Sequence, residues 1–237
     1  MTPNRVFCTE SEITPVRTQH HPAIPWGLIP AFVQKNLRTK GRVDVTRQLL
    51  EFVILTACRS GEARGMTWSE VDWKNAVWTV PAERMKAKLT HRVPLSPRAM
   101  EILQQQRGQH ESLVFPSVRV RGELSDMAIT ALLRRLNVES DVPGRVATAH
   151  GFRSSFRDWC SEHGYSRDLA ERSLAHTIKD KVEAAYHRTD LLEQRRELMN
   201  AWATFVVGAA STEDDINKVP QRTLSSFLRP RADALRG

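Results

Sequence analysis

The chain has 237 residues, 41% of them hydrophobic, which is enough to bury a substantial core in a single domain. A net charge of +8 and a pI of about 9.9 favour a polyanionic partner. The three cysteines, Cys8, Cys58 and Cys160, stand at no metal-like spacing, and no apolar run reaches the roughly eighteen residues of a membrane span, so a disulfide framework, a zinc site and a membrane-embedded protein are all disfavoured.

Residues 1–28 contain Pro3, Pro15, Pro22 and Pro25 without a sustained period and read as a linker or arm. A linker in that place implies that another segment precedes the domain. The opening has no apolar signal core, and two of the cysteines sit in apolar helical patterns, so a reduced, cytoplasmic protein with buried thiols is expected. Residues 29 to about 38 and then 44 to 58 read as helices, the second with Val45, Leu49, Phe52, Val53 and Leu55 on a broad apolar face. Arg59 follows where that helix ends, with Ser60 and Gly61 placed to cap and redirect the chain. Its guanidinium needs an anion, either the carboxylate of Glu62 or a phosphate.

Residues 76–81 and 92–95 are short β-type runs flanking a basic segment with Lys86 and Lys88, as in a small antiparallel sheet with lysines at its turn. Helices are predicted from Ser96-Pro97 to about Arg107, over 127–136 and over 191 to about 207. The domain is thus expected to occupy 29–208, mainly α with a small antiparallel sheet, followed by a polar tail over 209–237 that contains Glu213, Asp214, Asp215 and two prolines.

The chemistry concentrates between His150 and Tyr186. From Phe152 the apolar residues Phe156, Trp159 and Cys160 mark one face of a helix, and His150, Arg153 and Arg157 fall on a neighbouring strip, with Gly164 as the stop. His176 and Tyr186 follow. Each of these residues alone also has an ordinary structural reading: a satisfied core or capping histidine, a salt-bridged arginine, a half-buried tyrosine. The only other tyrosine, Tyr165, stands in the break after Gly164 and fits a nucleophile less well. Two histidines without a third ligand nearby make a poor zinc site, and there is no carboxylate pair of the kind a two-metal nuclease uses.

In this order, Arg59, the Lys86 turn, His150 with Arg153, His176 and Tyr186 resemble the catalytic domain of the tyrosine recombinases. The prophage-type integrase branch shows in HHPAIPW at 20–26, HGFRSSFRDW at 150–159, LAH at 174–176 and the run from Tyr186 to Trp202. The resemblance implies that fold over most of the chain, and it implies roles. Arg59 and Arg153 would hold the scissile phosphate, and Tyr186 would attack it to give a 3′-phosphotyrosine. Lys86 would protonate the leaving 5′ oxygen, His150 would assist proton transfer, and His176 would hydrogen-bond the phosphate. Lys86 is preferred to Lys88 only because of the family's position.

The resemblance further implies double-stranded DNA at an attachment site as substrate, other protomers on that DNA as partners, the tail as a segment that docks between them, and no metal or other cofactor. Two other functions compete: a type IB topoisomerase, which shares much of this active site, and a DNA-binding remnant without catalysis. Integrases of this branch carry arm-binding and core-binding domains ahead of the catalytic one, and neither is visible in this sequence.

Overall fold

Asp44 starts the helix around which the other elements pack. Its carboxylate accepts from the backbone N–H groups of Thr46 and Arg47 at 2.9 and 3.2 Å, capping α2 (Val45–Thr56). Leu49, Leu50, Phe52, Val53, Ile54 and Leu55 are each at most 1% exposed. A helix buried around most of its circumference must be surrounded, and here it is packed by α3 (Ser60–Arg64), α4 (Pro97–Gln106), α5 (Ala128–Arg135) and α8 (Leu192–Val207). Truncating one of its leucines to alanine would cost about 3 kcal/mol by the usual cavity effect. The structure is a computed structural model that describes residues 20–38, 44–176 and 189–208; Cys8, Tyr186 and the expected tail over 209–237 lie outside the described residues.

The end of α2 differs from the sequence expectation. The helix stops at Thr56 because Ala57 turns left-handed, with φ 50° and ψ 21°, and Ser60 begins α3 instead of redirecting the chain. A non-glycine residue in that conformation costs about 1–2 kcal/mol. Side chains offset it by taking up the carbonyls a helix end leaves free, one from the helix itself and two from distant parts of the chain. Thr56 Oγ1 donates to Phe52 O at 2.7 Å, Trp202 Nε1 to Ile54 O at 2.8 Å, and Arg153 Nη1 to Ala57 O.

The sheet has three antiparallel strands in the order β1 (Val71–Asp72), β2 (Val77–Val80), β3 (His91–Pro94), with Trp78 opposite Val93 and Val80 opposite His91. Two residues are too few to show an alternating pattern, so β1 was not anticipated. Between β2 and β3 the chain makes a 3-10 turn, Ala82–Arg84, and then the lysine-bearing loop.

Helices α6 (Gly151–Glu162) and α7 (Arg167–Ser173) pack on each other. Phe152, Phe156, Trp159 and Cys160 are buried as their spacing predicts, and Gly164 closes α6 at φ 76°. The apolar content of α7 is too slight to reveal it in the sequence; it is recognisable by its cap, where Ser166 Oγ accepts from Leu169 N. Cys58 and Cys160 are buried free thiols, and burial pushes both up to about 12, so they are packing residues. No described helix is long and apolar enough to cross a membrane. The helix expected from residue 29 is a 3-10 turn Trp26–Leu28, then α1 (Ile29–Phe32), then a π turn Val33–Leu37.

Candidate active site

Three distant stretches of chain converge beside the end of α2. The first carries Arg59, the N-cap of α3. Its Nη1 donates to Glu62 Oε1 at 2.8 Å while Glu62 Oε2 accepts from the Arg59 backbone N–H at 2.9 Å. Glu62, only 4% exposed, therefore braces both the arginine and the helix start. Nη2 reaches Ala175 O at 3.5 Å, and a quarter of the side chain stays open to solvent.

The second stretch carries Arg153, on the first turn of α6 and 3% exposed. The basic strip expected on this helix is thus not simply a solvent face. Nη1 donates to Ala57 O, and Nη2 donates to Leu174 O at 2.6 Å and to His176 Nε2 at 3.1 Å. Nε has no partner among the described residues. Neutral carbonyls orient this guanidinium but do not neutralise it. Burial, reinforced by the neighbouring Arg59 cation, lowers its pKa to about 10. It remains charged at neutral pH at a cost of about 3 kcal/mol in folding free energy. Two guanidinium groups crowded in this way favour an anion between them, and an oxyanion with several oxygens matches their forks.

The third stretch ends at His176. Since a guanidinium only donates, the Arg153 contact leaves the lone pair on Nε2 and the proton on Nδ1, which donates to Glu171 Oε2. Glu171 also accepts from Arg157 Nε, so Arg157 follows the salt-bridged reading. Burial raises the Glu171 carboxyl, but hydrogen bonds from Arg157 and His176 outweigh it and the net shift is downward.

His150 stands at the N-terminus of α6 with an exposed ring. Partial burial of the imidazole, followed by the charges of His21, Arg153, Arg59 and His176, pushes it down to about 4. It is therefore neutral at physiological pH and free to accept a proton.

Lys86 is exposed on the loop between β2 and β3 and makes no hydrogen bond or ion pair with another described residue. Neither it nor Lys88 lies on a strand: Lys88 has φ 55° and its Nζ turns back to Glu83 O at 3.4 Å. Tyr165 stacks on Trp159 with ring centroids 5.4 Å apart, and burial raises its phenol pKa, the reverse of what a nucleophile needs. Tyr186 lies outside the described residues. Sequence reasoning overlooked Glu171, whose separation of five residues from His176 matches no helical face, and His21, whose ring lies 4.3 Å from that of His150.

A family model described as the phage integrase family matches residues 35–191. Prophage integrase IntA of Escherichia coli (strain K12) is 36% identical over 74% of this chain and 42% of its own length. The integrase of Enterobacteria phage P4 is 32% identical over 82% of this chain and 47% of its own length. The chain spans about half the length of the curated relatives it matches. Among solved structures, the integrase from mycobacterium phage Brujita shares the fold with a TM-score of 0.58 at 20% identity, covering 90% of this chain and 65% of that one. A lambda integrase fragment, solved as a dimer bound to a COC′ core site, gives 0.51 at 20% identity, covering 76% of this chain and 63% of that one.

Proposed function

The chain belongs to the phage integrase family, and on that premise we propose that it cleaves and rejoins duplex DNA at a defined attachment site through a covalent 3′-phosphotyrosine. The observation that carries this is the convergence of Arg59 and Arg153, two guanidinium groups in mutual repulsion, the second oriented by carbonyl oxygens and, among the described residues, bonded to no carboxylate. A phosphodiester supplies the missing negative charge, and its gain in charge during displacement is stabilised most by donors already in place.

In this reading Tyr186 attacks phosphorus, the bond to the 5′ oxygen breaks, and Lys86 delivers the proton to that oxygen. A phenol with a pKa near ~10 needs cationic neighbours or a base to react at neutral pH. Arg59 and Arg153 supply the former and neutral His150 the latter. His176, whose Nδ1 stays bonded to Glu171, hydrogen-bonds the phosphate once Nε2 takes up a proton and turns from Arg153 to a phosphate oxygen. The covalent link conserves the phosphoester, so the 5′ hydroxyl of another strand can displace the tyrosine without ATP. All the positive charge in this scheme comes from side chains. Recombination joins two sites, so several protomers act together on DNA; the lambda neighbour, a dimer on a core site, supports that part of the reading. The tail over 209–237 is proposed to serve assembly, and the cytoplasm of a bacterial host is the proposed location.

The test uses a library of nicked duplexes with randomised core positions and scores SDS-resistant protein–DNA adducts. Adducts form with the intact sequence and vanish in Tyr186→Phe. A linkage mapped to Tyr165, or an undiminished adduct in Tyr186→Phe, overturns the assignment. Relaxation of supercoiled DNA of any sequence would point instead to the topoisomerase reading, and salt-dependent binding without an adduct to the remnant.

A further inference from the structure

The segment His20–Pro25, expected from its prolines to be part of a linker, crosses the start of α6 as a strap. Ala23 N donates to Asp141 Oδ1 at 2.8 Å, and Asp141 N returns a bond to Ala23 O at 2.8 Å. Pro22 O accepts from both the backbone N–H and the hydroxyl of Thr148, at 3.0 and 3.2 Å, and Ile24 O accepts from Ser155 Oγ. Ala23 and Ile24 are buried under these contacts. Beneath the strap lies Gly151. A Cβ built there would stand 2.1 Å from Pro22 O, so any other residue would have to displace the strap's backbone. The same glycine is tied down from the other side, its N–H donating to Thr148 Oγ1 at 3.0 Å.

The strap delivers an imidazole to the site. His21 lies against His150, ring centroids 4.3 Å apart and planes tilted by 55°. Its neighbour His20 lies in the field of Asp158, so the two adjacent histidines serve different surroundings. We propose that His21 is a positioning residue for His150: the strap seated on Gly151 presses the His21 ring on the His150 ring and holds it toward the guanidinium pair. This rests on the reading of His150 as a proton-handling group in strand cleavage.

Two physical effects follow from one contact. Packing removes rotamer freedom from a ring that is otherwise exposed, and a group held in a reactive orientation has less entropy to lose on reaching the transition state. Among the described residues, the charges that act most on His150 all oppose its protonation: His21 from the strap, Arg153 on its own helix, Arg59 before α3, and His176 after α7. His21 is thus part of the field that keeps His150 unprotonated, and its removal raises the pH at which His150 gains a proton.

The experiment uses the full chain in three forms: unaltered, His21→Ala and His21→Phe. Single-turnover adduct formation on the nicked-duplex library is measured from acid to alkaline pH beside duplex binding by fluorescence anisotropy. The expected result is a loss on the order of tenfold in adduct rate for His21→Ala, with binding within about twofold. His21→Phe keeps a ring in place and recovers most of the rate near neutral pH, while both variants move the acid limb upward. Gly151→Ala, which improves intrinsic helix propensity, lowers the rate as His21→Ala does and adds little when the two are combined. Equal rates in all three forms at every pH, or a loss matched by lost binding, overturns the proposal.

An NMR titration of the His150 ring needs no catalysis and separates the two readings. If the unaltered protein forms no Tyr186 adduct while His21→Ala still shifts the His150 midpoint upward, the proposed function fails and the ring coupling stands. If adducts form and neither rate nor midpoint responds to His21→Ala, the coupling fails and the proposed function stands.

Discussion

Two pairs of arginines in this molecule meet opposite surroundings. Arg38 and Arg98 both grip Glu51, a carboxylate 1% exposed on α2, with four hydrogen bonds of 2.8 to 3.0 Å. The Glu51 hydrogen bonds raise the Arg98 pKa despite its partial burial. Among the described residues Arg59 and Arg153 are bonded to no such shared carboxylate: Glu62 bonds the first, backbone carbonyls bond the second, and burial lowers Arg153. Where an arginine ties elements together its charge is cancelled inside the fold. Where the charge is left standing, the fold has spent stability to keep it available, which is the mark expected of a site that awaits an anion.

The sharpest way to break that contrast is Arg153→Gln, which keeps hydrogen-bond donors and removes the charge. Adduct formation should fall by about a thousandfold, while the thermal midpoint stays level or rises because the penalty on the buried cation disappears. A midpoint that collapses together with activity would make Arg153 another structural arginine.

Glu51→Ala is the converse. It removes the described carboxylate contact of Arg38 and leaves Arg98 with Glu101 alone, and should lower unfolding stability in urea by about 3 kcal/mol. The adduct rate per folded molecule should not change. If the rate falls while stability holds, the carboxylate-paired cluster reaches the site after all.

His91 sharpens the comparison from a third direction. Burial first, then the Arg195 cation, push it down to about 3, so the fold holds it neutral beside the same cationic region. Between about pH 6.5 and pH 4.5 the unfolded chain takes up a proton that the native state refuses. Stability contributed by this residue is therefore lost as pH falls, by about 2 kcal/mol over that window. His91→Gln should flatten the pH slope there; an unchanged slope would show that the imidazole is already solvated.

The smallest effect is expected at Arg92, whose side chain is 49% exposed in its pair with Asp190. Arg92→Ala should alter unfolding stability by less than about 1 kcal/mol, and less still at high salt. A larger loss would mean that a carboxylate partner matters more than burial, which would undo the distinction drawn between the two arginine pairs.

Several features of the fold were open to sequence reasoning for short-range reasons. Asp44 and Ser96 cap helices that the apolar period then extends, and Val77–Val80 with His91–Pro94 carry enough β-type residues to pair around a basic loop. The residue types of the site were legible too, since Arg59, His150, Arg153 and His176 each lie in a recognisable motif. Glu171 and His21 were not, because each acts across a separation that no local period expresses. The left-handed turn at Ala57 was equally hidden: alanine has no preference for it, and a residue 96 positions away takes up its carbonyl.

By itself the sequence determined the longer helices, two of the three strands and the chemical inventory, because hydrophobic period, capping and side-chain type are properties of neighbouring residues. Only the tertiary structure decided that Arg153 would be buried against backbone carbonyls, that the proline-bearing strap would lie on Gly151, and that two imidazoles would meet beside the guanidinium pair. Burial and electrostatic field depend on what the rest of the chain brings close, and those contacts arise only when α2 is surrounded and its end is tied down by residues from α6 and α8.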